Sequence, residues 1–427
     1  MTVDHGSDAA AAIRRGPRQI VAASIGNLAE WYDWYIYSFL TSFFAPQIFP
    51  GTDPLAQTLS SFAVFAVGFF LRPIGGLLVG ALADRWGRRN TLTLTILAMG
   101  AASLIIAITP TYATVGILSP IILVFARLLS GLSIGGEFAA NTTFLVESAP
   151  PGRRGFFSSF QYVSTTIGQL VASGLATILT LTLSDSAMNS WGWRIGFGVG
   201  ALIALVGLWI RRSAAETRVL AATERRPGLF EAMVRFPKQS LLIMGVTVAG
   251  TISYYTWTTY LPTYAKQNKF DESLALLIAT ISLAFFACLQ PIVGTVSDRI
   301  GRKPVLIVFA GVFAVGIVPA LALIRSVPPF GAYLVISLLG MIVLSGFTSI
   351  SAAINAEIIP GHVRAAGIGF PYSLTVALFG GTAPFIGTAM ADAGRPQLFG
   401  WWVALLCAIS LVVYLIMPET SRRPLQD

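Results

Sequence analysis

Apolar runs of roughly 20 residues recur along the whole chain, each bounded by short polar stretches. A run of that length crosses a bilayer core as a helix. The pattern predicts twelve spans, at approximately 20–45, 57–82, 91–109, 116–146, 158–183, 193–212, 238–265, 273–297, 304–324, 330–357, 365–391 and 399–417. Residues 1–19 are polar and hold no apolar core, so no cleavable signal peptide is expected ahead of the first span. The chain reads as an all-α integral membrane protein.

Composition sharpens this. Of 427 residues 55% are hydrophobic and 11% charged, with mean hydropathy +0.74, whereas a soluble chain carries about 25% charged residues. The net charge of +9 raises the question of a polyanionic partner, and its distribution answers it. With both termini in the cytoplasm, all but seven of the 28 Lys and Arg fall in cytoplasmic segments. Arg194, Lys266, Lys269, Arg325 and Arg395 lie outside, and Arg72 and Arg127 lie within spans. This is the positive-inside distribution, and no nucleic-acid partner is expected. Cys288 and Cys407 both fall inside spans and read as buried apolar thiols, not as a disulfide or metal ligands.

The chain is duplicated. "GALADRWGRRN" at 80–90 returns as "GTVSDRIGRKP" at 294–304, an offset of 214 that pairs Asp84, Arg85, Gly87 and Arg88 with Asp298, Arg299, Gly301 and Arg302. "ESAPPGRRG" at 147–155 returns as "EIIPGHVRAAG" at 357–367, pairing Glu147, Pro150 and Arg154 with Glu357, Pro360 and Arg364 at an offset of 210. Two six-helix halves follow, 20–212 and 238–417, joined by a charged cytoplasmic loop over 213–237 and flanked by cytoplasmic tails 1–19 and 418–427. Repeated halves around a midplane site are a common construction of secondary transporters.

The twice-occurring G-x-x-x-D-R-x-G-R-[RK] loop resembles that of the major facilitator superfamily. "GNLAEWYDWYIYSF", "FAVGFFLRPIGGLLVG", "RLLSGLSIGGEFAANTTFLVESAPPGRRGFFSSFQYVSTTIGQL" and "WGWRIGF" resemble, within it, the metabolite:proton symporter family. The similarity runs from about residue 19 to 418. It implies the major facilitator fold, twelve transmembrane helices in two pseudo-symmetric halves, and import of a small carboxylate with protons, α-ketoglutarate or a related dicarboxylate. It also implies a cytoplasmic gate at Asp84, Arg85, Gly87, Arg88, Glu147, Arg154 and their repeats Asp298, Arg299, Gly301, Arg302, Glu357 and Arg364. One departure stands out. Members carrying α-ketoglutarate typically have His where this chain has Trp86, so a proton role for that His does not carry over.

Five charges sit well inside spans: Glu30, Asp33, Arg72, Arg127 and Glu137. The second half has none at comparable depth. An ionisable group near the bilayer centre costs at least ~2.5–3.5 kcal/mol and marks function by default; static ion pairs fastening helices are the bland alternative. Asn27, Glu30, Asp33 or Trp34, and Tyr37 follow helical spacing and form one polar stripe on the first helix, expected to face inward. A carboxyl held out of water beside another acid can take up and release a proton. Asp33, Glu30 and Glu137 are therefore the proton-coupling candidates. Counting 1.5 Å per residue from the gate puts Arg72 and Glu137 within about 3 Å in depth, and Asp33 and Arg127 roughly 8 Å apart. Resemblance to sugar porters nonetheless matches Asp33 and Arg127 to a coupled acid and arginine.

For an anionic substrate, Arg127 offers a bidentate clamp, with Arg72, Gln161, Tyr162, Gln169 and Tyr255 as further contacts. Gln169 matches a substrate-contacting glutamine of sugar porters. Tyr260 and Tyr264 read as interfacial belt, and Asn355 as helix glue. His5 and His362 lie outside the spans, leaving no intramembrane histidine relay. No phosphate loop, metal-ligand cluster or nucleophile–base pair is visible, so neither an enzyme nor a cofactor is expected. The expected partners are a small carboxylate, protons and the bacterial inner-membrane bilayer, with the chain working as a monomer. Alternatives are a same-family symporter of citrate, shikimate or a proline/betaine-type zwitterion, and a non-transporting nutrient sensor. The family's osmosensory zwitterion carriers have a long coiled-coil tail, whereas about ten residues follow the last span here.

Overall fold

The computed structural model describes the chain except residues 1–27, 87, 134–136, 151, 213–232, 422–424 and 426–427. The side chains of Asp84, Arg85, Arg88, Glu137 and His362 are also outside the description. Twelve helical spans are present among the described residues. They are α1 (28–48), α2 (Pro54–Trp86), α3 (Arg88–Ile108), α4 (Leu118–Ser133 and Glu137–Glu147), α5 (Arg154–Thr182) and α6 (Trp193–Arg212). The second half holds α7 (Pro237–Tyr254, then Tyr255–Tyr260 and Leu261–Gln267), α8 (Glu272–Ile300), α9 (Arg302–Arg325), α10 (Phe330–Thr348 and Ser351–Ile358), α11 (Arg364–Thr375, Val376–Gly381 and Ala383–Asp392) and α12 (Gln397–Ile416). Eight helices are long and apolar enough to cross a membrane by themselves, and 93–108 and 118–133 are shorter apolar helices. Apart from the start of the first span, which lies outside the described residues, their ends fall within a few residues of the sequence-predicted spans, where polar breaks supply residues that stop a helix. Asp271, for example, caps α8 by accepting from Leu274 N at 2.8 Å.

The first helix corrects one expectation. Residues 29–41 are all buried, so α1 has no lipid face against which a polar stripe would stand out. It is a central helix. Cys407 is buried as expected, whereas Cys288 is exposed on α8. Trp86 is also exposed.

The halves meet along two seams. α5 lies against α8, where Gly155 and Gly294 let the backbones touch: a Cβ on either would stand 2.5 or 2.4 Å from the other's carbonyl oxygen. α2 lies against α11, where a Cβ on Gly381 would stand 2.5 Å from the Phe69 ring. Both α7 and α11 widen to π-helical geometry at mid-length, over Tyr255–Tyr260 and Val376–Gly381. Such segments re-aim side chains and recur at functional sites. They meet at Gly380, whose absent side chain leaves room for Thr251 and Tyr255 of α7.

Among the described residues, polar contacts cross between the halves at both ends of the bundle. At the end away from the repeated motifs, Lys266 pairs with Glu272 at 2.5 Å, Ser42 of α1 donates to the same carboxylate, and Thr177 bonds Thr280 at 3.0 Å. The motif end is crossed by ion pairs described below.

Candidate functional site

Asp33 and Arg127 form a buried ion pair despite the depth mismatch, with Nη1 to Oδ2 at 3.1 Å and side-chain exposures of 3% and 0%. The long guanidinium stem covers the gap. Arg127 Nη2 donates to Asp33 Oδ1 at 3.3 Å, Ser130 Oγ donates to Oδ2 at 3.2 Å, and Ser103 donates to Oδ1. One carboxylate thus ties α1 to α3 and α4. Tyr37 lies under the guanidinium, its ring centroid 4.4 Å from Cζ. Nε is left without a partner, and the 3.1 Å Nη1 contact is an ion pair not aligned as a hydrogen bond. Arg127 is thus occupied by Asp33.

Arg72 is a second buried cation at mid-bundle, and it is held by rings. Its Cζ lies 4.0 Å from the Phe69 centroid, 4.4 Å from that of Trp34 and 5.1 Å from that of Trp31. Trp31 and Trp34 are one turn apart on α1, and Phe69 precedes Arg72 by one turn on α2. Its Nε and Nη2 are buried with no hydrogen-bond partner. Tyr255 stands edge-on to the same Phe69 ring, at 5.3 Å between centroids. A buried charge-bearing donor left unsatisfied is costly, and an anion removes that cost.

A cavity lined by Trp31, Tyr162, Thr165, Thr251, Tyr254, Tyr255 and Tyr372 shares Trp31 with the rings around Arg72, although Arg72 itself does not line it. Its volume is ≈ 10 Å³, room for about one water. Hydroxyls surround it: Tyr35 donates to Tyr254 at 2.8 Å, Tyr254 to Gln169 Oε1 at 3.1 Å, and Tyr162 meets Tyr372 at 3.3 Å. Gln169 also donates to the carbonyl of Thr258 at 2.8 Å. These bonds run from α1 and α5 to α7 and α11, so both halves contribute to the wall.

The motif end repeats its ion pairs across the halves. Arg364 bonds Glu147, while Arg154 lies 3.8 Å from Glu357, the two repeat-related residues exchanging roles. Arg302 reaches Glu357 at 3.4 Å and Asp298 at 2.9 Å. Asp298 in turn accepts from the backbone N–H of Gly155 at 2.7 Å and of Phe156 at 2.9 Å. A carboxylate of one half thereby caps the α5 N-terminus of the other. Gly301 holds φ +102°, closed to ordinary side chains.

The structure thus brings Asp33 to Arg127, and sets Arg72 and Tyr255 against the same Phe69 ring. It sets Tyr162 and Tyr255 on the cavity and Gln169 at its edge through Tyr254. Gln161 is buried but is not among the cavity's lining residues. Glu30 is buried on α1. Glu147, Arg154, Asp298, Arg302, Glu357 and Arg364 cluster at the motif end, whereas Arg299 is exposed to the side of them. The candidate roles of Glu137, Asp84, Arg85, Gly87 and Arg88 fall outside the described residues, as does Asn27. Asn355 is not helix glue: it is buried, and neither its Oδ1 nor its Nδ2 makes a hydrogen bond.

Sequence reasoning missed Tyr372, although the repeat offset of 210 places it opposite Tyr162. It missed Thr251 and Thr165, which carry no signal. It also missed Glu419, which accepts from Arg302 N and Lys303 N at 2.9 Å and so caps α9, while Thr420 Oγ1 donates to Glu357 at 2.6 Å. The signal was "AAET" after α6 returning as "MPET" after α12. Burial raises the Glu419 pKa, but hydrogen bonds from the backbone N–H of Ser421, Arg302 and Lys303 outweigh it and hold the group below the usual glutamate value.

Two repeated halves, two π-widened helices at a buried cavity and exchanged ion pairs at one end define a secondary transporter. The chain belongs to the major facilitator superfamily: residues 267–427 match the family model described as Major Facilitator Superfamily, and residues 19–227 that described as Sugar (and other) transporter. It is 38% identical over 416 residues to the alpha-ketoglutarate permease of Escherichia coli, covering 96% of this chain and 95% of that one. The citrate-proton symporter of Salmonella typhi is 32% identical over 93% of both chains, and the proline/betaine transporter of Salmonella typhimurium is 30% identical over 96% of this chain and 85% of its own. Among solved structures, a D-xylose-proton symporter superposes with TM-score 0.73 at 20% identity, covering 96% of this chain and 99% of that one. The molecule is a multi-pass membrane transporter, not an enzyme.

Proposed function

We propose that the protein is a proton-coupled symporter that imports a small dicarboxylate such as α-ketoglutarate by alternating access. It works as a monomer in the bacterial inner membrane with both termini in the cytoplasm. The observation that carries this reading is Arg72, a buried guanidinium with two unpartnered nitrogens that shares Trp31 with the cavity, while Arg127 is held by Asp33. Arg72 receives one carboxylate of the substrate in fork geometry, and the tyrosine hydroxyls receive the remaining oxygens. The likeness to an alpha-ketoglutarate permease supports the same substrate class.

Protons enter through Asp33. Protonation removes the charge that Arg127 pairs with and loosens α1 from α3 and α4. The same helix carries Trp31 and Trp34 against Arg72, so the proton site and the anion site share one moving element. A dianion entering against an inside-negative potential costs ~4.6 kcal/mol per 100 mV, at ~2.3 per charge. Two protons make entry electroneutral, and at least two are required for accumulation.

A zwitterion is the second reading, since the ring-lined cavity also suits a cation. Counterflow of labelled 2-oxoglutarate in proteoliposomes, competed by citrate, shikimate, proline and glycine betaine, separates the two. Unlabelled 2-oxoglutarate is expected to compete more strongly than any of the four. Exchange of proline or betaine without exchange of 2-oxoglutarate would overturn the proposal.

A further inference from the structure

Between Lys303 and Glu357 the sequence carries one charged residue, Arg325. It ends α9, and the chain turns over 326–329 into α10. Between these two helices runs an apolar groove of ≈ 310 Å³. Along α9 its wall extends from Leu323, about 3 Å below Arg325, to Val312, about 17 Å deeper than Leu323. Along α10 it extends inward from the same end, from Ile336 to Val343. The groove therefore starts just under the cation and reaches roughly the depth of one leaflet, half of a ~30 Å hydrocarbon core.

Trp257 of the π-widened segment of α7 backs the groove. Its Nε1 donates to the carbonyl of Ser337 at 2.9 Å, and its ring stands edge-on to Phe313 at 5.8 Å. The ring lies on bare Gly340, where a Cβ would stand 2.0 Å from it. With the N–H already bonded, the tryptophan has only apolar surface to offer. Gly316 leaves a gap in the α9 wall, since a Cβ there would meet no atom within 4 Å. Val312, Leu323 and Leu339 line the groove and are exposed, so it opens on the surface of the bundle, where the surrounding phase is hydrocarbon.

An unfilled groove forfeits dispersion contacts along its length, and this lining suits a hydrocarbon chain rather than a polar ligand. Lipid tails are as apolar as the groove, so burial alone selects none of them. Selection falls to the mouth. Arg325 reaches Gln397 Oε1 at 3.5 Å, and its guanidinium has further donors in a fork that matches phosphate. We propose that the groove binds one acyl chain of an anionic phospholipid from the leaflet at the end away from the repeated motifs, with the headgroup phosphate on Arg325. The bound chain lies against Trp257, two residues from Tyr255 on the cavity wall, and so directly behind the segment that carries it.

Native mass spectrometry of the full protein tests this, with phosphatidylglycerol and phosphatidylcholine of identical chains titrated in detergent. A first lipid should be retained with about fivefold preference for phosphatidylglycerol, the contribution of one basic residue near an anionic surface. Arg325→Gln should abolish that preference and leave phosphatidylcholine retention unchanged. Gly316→Leu should weaken retention of both lipids by about tenfold, because the new side chain takes the space of the lipid chain. The wall has room for it, and leucine favours a helix over glycine, so the variant keeps the fold. Ala320→Leu, on the same wall, should act alike. Equal retention of the two lipids by the unsubstituted protein, or retention that neither filling substitution lowers, would overturn the proposal. So would a lipid-free dimer that Gly316→Leu dissociates, since the groove would then be a contact between two copies of the chain.

Discussion

At the level of the cavity the N-terminal half buries Asp33, Arg72 and Arg127, while the C-terminal half buries Thr251, Tyr254, Tyr255 and Tyr372 and, among its described residues, no charge. Both halves come from one repeat, so the difference arose by divergence. Its physical consequence concerns motion. Breaking a buried ion pair costs about 3–5 kcal/mol, whereas exchanging a neutral hydrogen bond costs about 0.5–1.5 kcal/mol. A substrate charge matched by one half alone lets the other half slide past it cheaply. At the motif end the described residues show an exchange instead: Glu147 of one half meets Arg364 of the other, and Arg154 meets Glu357.

The largest expected effect breaks the charged side of the contrast. Arg72→Ala should weaken 2-oxoglutarate binding by roughly 100-fold, and Arg72→Lys by about tenfold, because the ammonium keeps charge but loses the fork. Tyr255→Phe, on the neutral side, should cost only about 2–10-fold. Competition in counterflow measures all three, and equal losses at Arg72 and Tyr255 would erase the proposed division of labour.

Next in size is the seam between the halves. Gly294→Ala puts a Cβ 2.4 Å from the carbonyl of Gly155, which the α5 backbone cannot yield easily. Turnover should fall on the order of tenfold with binding changed less, and amide hydrogen exchange at 155–163 should rise. A smaller effect is expected from Glu147→Gln, because the Glu147 side chain is 47% exposed and exposed pairs contribute little. About a two- to fivefold change in turnover should be measured there.

The smallest effect is one of pH. Glu419 titrates below the usual glutamate range when it caps α9, so its contribution is present above the unfolded value and lost as pH falls through the folded one. Thermal stability should therefore decline on acidification, and in Glu419→Gln that decline should be shallower. A parallel pH profile in the variant would remove Glu419 from the motif-end network.

The helices were legible because each apolar run is as long as a bilayer is thick. Asp33 and Arg127 stood out because charge in an apolar run is costly, yet depth counting left them roughly 8 Å apart; only the length of the arginine side chain closed the gap. The aromatic box around Arg72 was half-written in "EWYDW", whose two tryptophans are one turn apart. The C-terminal contribution was harder to read. Threonines and tyrosines enter membrane helices at little cost, so nothing in local sequence separates Thr251 from its neighbours. Tyr372 was readable only through the repeat, and Asn355, buried without a partner, has no physical account here.

The central claim is that Asp33 couples protons to substrate while Arg72 holds the anion. It is tested most directly with Asp33→Asn in proteoliposomes under an imposed pH gradient, comparing uphill accumulation of 2-oxoglutarate with exchange of internal for external substrate. Accumulation should be abolished and exchange retained, since exchange moves no net proton. Proton-driven accumulation that survives in Asp33→Asn would contradict the account and shift the coupling role to Glu30 or Glu137.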